Sequence, residues 1–291
     1  MLPPKTEYLI PKTIQDACSL AKKYEGDARI IAGGTDLLML LKRKVALPRY
    51  LIDIRGIPSQ DYISHEGKDG LRIGALTTIH AIVISPLIQE RFSILAQAAS
   101  SLGSLQVRQR ATIGGNLCHA APSAETAPPL LALEAIVKVR GTDGERTIAI
   151  ENFLIGPGQT TLKPDEILME IQIPNPSPRS SGTYLKHTLR KALDLAIVGV
   201  AVHVTMNGDV LSDVKIALGA VAPTPLRTRE AEEILRGKKP SQDLLDKAGR
   251  CAAGECSPIN DVRSSADYRT KMIKVLVPRA IAQAVELTKR S

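Results

Sequence analysis

The fold is decided by two glycine-rich stretches, Ala32-Gly33-Gly34-Thr35-Asp36 and Thr112-Ile113-Gly114-Gly115-Asn116. Each stretch follows an apolar, β-branched segment and leads into a segment with helical character. Paired glycines allow the backbone to adopt positive φ and allow its N–H groups to approach a ligand closely. An acidic side chain accompanies each loop, Asp36 with the first and Glu125 with the second. This arrangement predicts one extended ligand whose pyrophosphate lies between two backbone cradles.

The first loop does not match the common nucleotide-binding motifs. It lacks the Lys-Ser/Thr pair of a Walker A motif and the third glycine of the GxGxxG fingerprint. These differences argue against a P-loop hydrolase and against a standard Rossmann site for NAD. A helix N-terminus after the loop would still favour an anion, to which Thr35 would present its hydroxyl and its N–H. Considered alone, the loop is explained equally well as a tight turn between a strand and a helix.

Composition indicates a globular chain with a core of aliphatic side chains. Of 291 residues, 44% are hydrophobic and 23% are charged, which fits two or three subdomains. With no Trp, two Phe and six Tyr, the chain lacks the side chains for stacking single-stranded bases. The net charge of +8 comes from scattered basic residues and predicts a solvated surface or a subunit interface. A phosphate-rich partner is the less favoured alternative.

The cysteines do not form a metal-binding pattern. Because no CxxC pair occurs, we expect no iron–sulfur cluster or tetrahedral zinc site within this chain. The four cysteines are Cys18, Cys118, Cys251 and Cys256. Free thiols fit a reducing compartment, and Met1–Lys5 does not begin the apolar core of a signal peptide. No apolar run of about eighteen residues is present, so we expect a cytoplasmic protein without a membrane span.

Residues 1–55 are predicted to form a compact α/β subdomain. The pattern favours a helix over Thr13–Tyr24, capped by its first residue, with the apolar side chains near one face. Two strands, Arg29–Ala32 and Tyr50–Ile54, flank the first glycine loop and a helix over Thr35–Lys44. This order places the loop where a strand ends and a helix begins.

Residues 56–175 are predicted to form a second subdomain around the second glycine loop. The predicted elements are a strand at Leu71–Ala75, helices starting at Thr78, over Ile94–Leu102 and over Pro128–Leu133, and hairpin strands at Ala135–Arg140 and Glu145–Ile150. The last helix is apolar throughout and is expected to lie buried beneath the loop.

Residues 180–291 are predicted to form a C-terminal α+β domain. The proline-rich stretch Pro174–Pro178 is the clearest linker in the sequence and precedes it. The predicted strands are Ser181–Leu189, Leu195–Met206 and Val210–Val221, and the predicted helices are Arg229–Leu235, Gln242–Ala253 and Asp267–Thr288. The strands would form a three-stranded antiparallel sheet backed by a helical layer.

Several blocks of the sequence resemble one enzyme family. Thr112–Leu117, Ala121–Glu125 and Pro128–Leu133 look like the FAD-binding medium subunit of the molybdenum hydroxylases, the xanthine dehydrogenase and carbon monoxide dehydrogenase family. Further blocks match in the family's order: Ala32–Leu38, Gly156–Gly158, Asp165–Leu168 and Arg190–Val198. The similarity extends from Tyr8 to the last helix. It implies an α+β fold in which a two-part FAD-binding domain of the p-cresol methylhydroxylase (PCMH)/vanillyl-alcohol-oxidase type precedes the C-terminal domain.

The resemblance also implies which residues bind FAD. The first loop would wrap the pyrophosphate, the second would bind the phosphates and the flavin side, and Ile167 and Leu168 would contact a ring of the cofactor. The implied set is Ala32, Gly33, Gly34, Thr35, Asp36, Leu37, Thr77, Thr112, Gly115, Asn116, Glu125, Ile167, Leu168 and Lys186. No catalytic residue and no metal ligand is assigned to this chain.

Two positions in this set have particular implied roles. Glu125 stands where the family usually has an Asp that hydrogen-bonds a ribose or ribityl hydroxyl, and it is one methylene longer. Lys186 matches a family lysine whose ammonium approaches the flavin, and a surface charge on a strand is the alternative. His119 is a disfavoured candidate for a covalent flavin link. Asp194 is expected to pair with a nearby basic residue.

The resemblance implies an FAD-dependent oxidoreductase subunit. It would take electrons from the 2Fe–2S iron–sulfur clusters of a small partner subunit and pass them to an external acceptor. A large molybdopterin subunit would act on the substrate, and the assembly would be a dimer of heterotrimers. No nucleic-acid partner is expected. Two alternatives remain open, a self-contained flavin oxidase of the vanillyl-alcohol-oxidase type and a scaffold subunit without a cofactor.

Overall fold

The computed structural model describes residues 6–190 and 192–289. Met1–Lys5, where no signal peptide is predicted, and Lys191, within the Arg190–Val198 block, lie outside the described residues. So do Arg290 and Ser291 at the end of the predicted C-terminal domain. Of the described helices, none combines the length and the apolar character needed to span a bilayer.

The N-terminal part folds around a parallel sheet. Its elements are β1 (Glu7–Leu9), α1 (Ile14–Lys23), β2 (Ala28–Ile31), α2 (Leu37–Lys42) and β3 (Tyr50–Asp53). The strand order is β1-β3-β2, so the last strand lies between the other two. Helix α1 begins as predicted, because the Thr13 side chain accepts a hydrogen bond from the Asp16 N–H. Parallel strands place their carboxyl ends at one edge of the sheet, where the first glycine loop leaves β2.

Two N-terminal elements differ from the prediction. Strand β1 was not predicted, since its three residues are held in place by pairing with β3 and carry little local pattern. Helix α2 is shorter than the predicted Thr35–Lys44. The backbone explains both ends of α2, because Gly34 and Lys44 have φ of +76° and +59°, which no α-helix accommodates.

The middle part alternates short helices with antiparallel strands. Its elements are β4 (Ile63–His65), β5 (Leu71–Gly74), α3 (Ile79–Ile84), α4 (Pro86–Arg91), α5 (Ser93–Ser100), α6 (Leu105–Arg108), α7 (Ile113–His119), α8 (Ala127–Ala132), β6 (Ile136–Gly141), β7 (Gly144–Ala149), β8 (Leu154–Gly156), β9 (Gln159–Thr160) and β10 (Ile167–Ile173). Five strands form a sheet in the order β4-β5-β10-β6-β7. The predicted hairpin is confirmed as β6 and β7. The second glycine loop is the first turn of α7 rather than a separate loop before it.

The C-terminal part is a four-stranded antiparallel sheet with helices on one face. Its elements are β11 (Ser180–His187), β12 (Val198–Asn207), β13 (Val210–Gly219), β14 (Leu226–Arg227), α9 (Arg229–Leu235), α10 (Gln242–Gly254) and α11 (Ala266–Thr288). The three predicted strands pair antiparallel as expected, and the two-residue strand β14 adds a fourth at the edge.

The C-terminal sheet is buried on both faces. Val200, Val202 and Val204 of β12 share a core with residues of α10 and α11. Ala201, which points the other way, belongs to the central core that α5 and α8 help to build. Coverage on both sides explains the nearly continuous apolar run of β12. The sheet therefore packs directly on the part of the molecule that carries the second glycine loop.

Helices α10 and α11 pack together at a glycine. A methyl group on Gly249 would lie 2.8 Å from Cδ of Pro278 and 3.0 Å from the Lys274 carbonyl oxygen. Pro278 lies inside α11 and has no N–H to donate to that carbonyl. The close approach of the two helices at this point thus requires a residue without a side chain.

Replacing Gly249 by alanine is expected to lower the free energy of unfolding by roughly 1–3 kcal/mol, because the added methyl overpacks against Pro278. Gly254→Ala is the matched control on the same helix, since nothing lies within 4 Å of its added methyl. Helix propensity makes that control neutral or slightly stabilising. Urea denaturation followed by circular dichroism measures both variants. Equal unfolding midpoints would contradict the prediction.

Candidate cofactor-binding site

The two glycine loops meet in the folded chain. A methyl group on Gly33 would lie 2.0 Å from the carbonyl oxygen of Arg110 and 3.0 Å from Cα of Ala111. Both contacts are with main-chain atoms, which cannot move aside as a flexible side chain can. Arg110 and Ala111 immediately precede the second loop. The missing side chain of Gly33 is therefore what allows the loops to lie side by side.

The first loop offers unpaired backbone donors. Within residues 6–190 and 192–289, the N–H groups of Gly33, Gly34, Thr35 and Asp36 make no hydrogen bond, and neither does the Thr35 hydroxyl. These groups precede α2 in a half-exposed turn, and Gly34 has φ of +76°. Consecutive unpaired amides at the start of a helix attract anionic oxygen. The arrangement fits a pyrophosphate.

The second loop has a different character. The N–H groups of its last four residues all donate within the protein: Ile113 to the Thr77 carbonyl at 3.0 Å, Gly114 to the Ala75 carbonyl at 2.9 Å, Gly115 to Thr112 Oγ1 at 3.0 Å and Asn116 to the Thr112 carbonyl at 2.9 Å. Positive φ was expected at the glycines, but neither Gly114 nor Gly115 adopts it. Gly114 serves close packing instead, because a methyl group there would lie 2.7 Å from the Ala75 carbonyl oxygen. The loop is a fixed wall beside the first one.

Two side chains of the implied set are used within the fold. The Thr77 hydroxyl donates to the Tyr62 carbonyl at 2.9 Å and accepts from the Tyr62 N–H at 3.1 Å. The side-chain oxygen of Asn116 accepts from the Thr126 hydroxyl at 2.6 Å. In the described part of the chain the Asn116 amide nitrogen makes no hydrogen bond, so it is the atom of that side chain left to meet a ligand.

Glu125 and Lys186 form a buried ion pair. Their side chains are 5% and 9% exposed, and the ammonium lies 2.9 Å from Oε1 of Glu125. Lys186 also donates to the carbonyls of Ser101 and Asp194, each at 2.8 Å. Burial raises the pKa of Glu125, and the neighbouring Lys186 works in the opposite direction. The alternative of a surface charge at Lys186 is wrong, and its three donors are directed at protein oxygens.

Ile167 and Leu168 are buried side chains at the start of β10. Ile167 belongs to the core around α1, whereas Leu168 belongs to the central core, so the two point to opposite sides of the strand. A bulge follows, because the register with β6 shifts between Leu168 and Glu170. Neither side chain presents an open apolar surface. A ring bound here would face the backbone of this irregular stretch.

The structure adds a contact that sequence reasoning missed. His119 Nε2 lies 3.8 Å from Oδ1 of Asp36, so the end of α7 reaches the first loop. Cys118 beside it is an exposed free thiol. No local sequence pattern predicts the contact between Asp36 and His119, because these two residues are far apart in the sequence. Through this contact, the end of α7 lies beside the first glycine loop.

Asp194 has the structural role that was expected of it. Its carboxylate accepts hydrogen bonds from the N–H groups of Leu189 and Arg190, each at 3.0 Å, and lies 3.6 Å from the Arg190 guanidinium. Among the described residues, no three His, Cys, Asp or Glu side chains are grouped so as to hold a metal ion.

Replacing Lys186 by methionine is expected to lower the free energy of unfolding at about pH 8 by roughly 3–5 kcal/mol, because the Glu125 carboxylate is left buried without its cation. Burial raises the pKa of Glu125 above that of the unfolded chain. Ionisation then destabilises the fold as the pH rises through that window, so the loss should shrink towards about pH 5.

Urea denaturation across this pH range measures the effect. The matched control is the double variant Lys186→Met with Glu125→Gln, which carries no buried charge at this position and should regain stability without the pH dependence. A loss in the single variant that stays constant with pH would contradict the prediction.

Comparisons with known proteins show the family. The family model described as the FAD binding domain in molybdopterin dehydrogenase matches residues 4–176. The model described as the CO dehydrogenase flavoprotein C-terminal domain matches residues 183–284. Together these two models cover both the glycine loops and the C-terminal sheet.

Related proteins match along nearly the whole chain. The carbon monoxide dehydrogenase medium chain of Hydrogenophaga pseudoflava is 36% identical over 284 residues, which cover 98% of this chain and 98% of the relative. The xanthine dehydrogenase FAD-binding subunit of Escherichia coli O157:H7 is 30% identical over 274 residues, 94% of each chain. A solved structure of the Hydrogenophaga pseudoflava carbon monoxide dehydrogenase matches with a TM-score of 0.95 at 36% identity, over 99% of both chains. This protein is therefore an FAD-binding oxidoreductase subunit, and it belongs to the family of medium subunits of the molybdenum hydroxylases.

Proposed function

We propose that this chain is the electron-transfer flavoprotein of a molybdenum hydroxylase complex. It takes electrons from the 2Fe–2S clusters of a small partner subunit and passes them to an external acceptor. A large molybdopterin subunit performs the substrate chemistry, in an assembly that is a dimer of heterotrimers. The relatives support this proposal, since they are named as medium chains or FAD-binding subunits of dehydrogenases. A cytoplasmic location is part of the proposal, and the four free thiols are in keeping with it.

The observation that carries the proposal is the contact between the two glycine loops. The first loop supplies unpaired amides, and the approach of Gly33 to the Arg110 carbonyl sets these amides against a fixed wall. We assign the cofactor pyrophosphate to Ala32–Leu37 on this basis. Thr112, Gly115 and Asn116 would line the other side, with the Asn116 amide nitrogen as a donor.

The remaining assignments concern the far end of the cofactor. Bound FAD would supply the redox chemistry, taking up electrons that arrive one at a time and making them available to an external acceptor. Lys186 would contribute a buried positive charge, which stabilises negative charge placed nearby more strongly than a solvated one would. Glu125 holds that ammonium in position. Three further residues would contact FAD through their main chain, because their side chains are buried or hydrogen-bonded within the protein. These residues are Thr77, Ile167 and Leu168.

We propose a division of the chain into three parts, residues 1–55, 56–175 and 180–291. The first two would form the FAD-binding domain and the third the C-terminal domain. Support comes from the two family matches, which meet between residues 176 and 183. The C-terminal part has an aliphatic core of its own, which adds to this support.

The proposal is tested on the full-length chain purified with any subunits that co-elute with it. We expect a flavin absorption spectrum, release of FAD on denaturation, and reduction of the flavin by the complex's substrate only while the iron–sulfur and molybdopterin subunits are present. Reduction of the isolated chain by a small alcohol would instead favour a self-contained oxidase. A chain that stays colourless after incubation with FAD would contradict the proposed function altogether.

Gly33→Ala is expected to abolish FAD binding, because the added methyl meets a main-chain carbonyl at 2.0 Å and forces the two loops apart. Gly56→Ala is the matched control, since nothing lies within 4 Å of its added methyl. Equilibrium dialysis against FAD measures both variants, and circular dichroism checks that each is folded. Wild-type affinity in a folded Gly33→Ala protein would rule out the assigned cradle.

A further inference from the structure

Arg269 is a buried cation near the start of α11, the last helix of the chain. The residue is 3% exposed. Its Nη1 donates to the carbonyl of Ile197 at 2.7 Å and to the carbonyl of Ala220 at 2.8 Å. Its Nη2 lies 2.8 Å from Oδ1 of Asp261. One guanidinium therefore joins three separate loops at one end of the C-terminal sheet.

The carbonyls that Arg269 binds belong to two connections at the same end of the C-terminal sheet. Ile197 precedes β12, and Ala220 follows β13 with φ of +65°, a conformation that a residue with a side chain rarely adopts. Both carbonyls accept from Nη1 while Nη2 binds Asp261, so the planar guanidinium fixes the two carbonyls relative to that carboxylate, which an ammonium on a flexible stem does not do. The Nε–H of Arg269 has no partner among the described residues, and a buried unpaired donor costs stability. Arg269 therefore contributes to the positions of the loops that it joins, as well as to stability.

One of these loops reaches the candidate cofactor site. The Ala220 N–H donates to the carbonyl of Pro122 at 2.7 Å. Pro122 lies in the segment 121–125, which links α7, the helix of the second glycine loop, to α8. The next residue back in β13 is also in contact, since a methyl group on Gly219 would lie 2.9 Å from Cγ of Pro128. The end of β13 and the residue after it therefore contact the chain on both sides of the entry to α8, at Pro122 and at Pro128.

The same segment is held at its other end by Lys186. The ammonium binds Glu125 at 2.9 Å and the carbonyl of Asp194 at 2.8 Å. Asp194 is three residues before Ile197, whose carbonyl binds Arg269. Two buried cations therefore fix the 194–197 stretch, and each also fixes one point of the segment 121–125, Lys186 directly and Arg269 through Ala220.

We infer that Arg269 is a positioning residue for the FAD site, acting through Ala220 on the segment 121–125. The inference rests on the proposed FAD site and on the contact with a ribose or ribityl hydroxyl of FAD that the family resemblance implies for Glu125 in that segment. Loss of the guanidinium frees the Ala220 carbonyl, the loop relaxes from its positive φ, and the hydrogen bond to Pro122 is no longer held in place. The segment then loses one of its two anchors without any change in a residue that touches FAD.

The test measures FAD binding by the full-length chain, purified with any subunits that co-elute with it. Arg269→Met should raise the dissociation constant for FAD about tenfold or more, in the range typical of residues that support a site indirectly. Arg269→Lys keeps the charge, but its single nitrogen on a shorter side chain replaces the two nitrogens that bind the carbonyls and Asp261. It should therefore give a smaller rise. Both should alter the visible circular dichroism of the bound flavin. That signal reports the position of the flavin and is not moved by a uniform loss of stability.

Asp261→Asn is the matched control. It keeps the bonds from Nη1 to both carbonyls and leaves an oxygen for Nη2, so stability should fall while FAD affinity and the flavin spectrum stay as in the wild type. If Arg269→Met does not fold, Arg269→Lys decides alone. Wild-type affinity and circular dichroism in every folded Arg269 variant, with Gly33→Ala unable to bind FAD, would overturn this inference and leave the proposed site intact. Wild-type affinity in Gly33→Ala as well would overturn both.

Discussion

A contact between two stretches of main chain, at Gly33 and the Arg110 carbonyl, sets how the two glycine loops of the proposed cofactor site lie against each other. Because backbone atoms meet there, no rearrangement of side chains can replace the glycine. The loops are not equivalent on the two sides of this contact. The second is bonded to the rest of the fold through Thr77 and Ala75, whereas the first keeps its amides unpaired. The hydrogen-bonded second loop therefore lies next to the unpaired N–H groups of the first loop.

The C-terminal part contributes to the site through charge and through packing. Its sheet is covered on both faces, so it cannot shift without disturbing the central core. Lys186 extends from β11 to Glu125, and Arg269 holds the loop that bonds Pro122. The two parts of the chain matched by separate family models are thus joined where the cofactor is proposed to bind. This gives a physical reason for them to occur in one polypeptide.

Elements that depend on local chemistry were predicted well from the sequence. Thr13 caps α1 through its own hydroxyl, and Gly208 turns between β12 and β13 with φ of +63°. Strand β1 escaped prediction because three residues carry almost no periodicity. For the proposed site, the sequence predicted which segments contribute, but it could not predict which of their amides are free. Whether the Gly114 N–H is available depends on the Ala75 carbonyl, which is distant along the chain. The partners of Lys186 are distant for the same reason.

The bulge at the start of β10 separates the short stretch proposed to contact FAD from the regular part of the strand, which builds the five-stranded sheet. Ile167 and Leu168 face different cores, and the irregular step after them interrupts the ladder with β6. In a regular strand the side chains alternate between the two faces. A shift of the chain by one residue at this end would therefore move every later side chain to the other face. The bulge confines such a shift to one point, so the residues after it keep their faces. Variation in this short stretch can therefore change the local path of the main chain while the sheet behind it keeps its register.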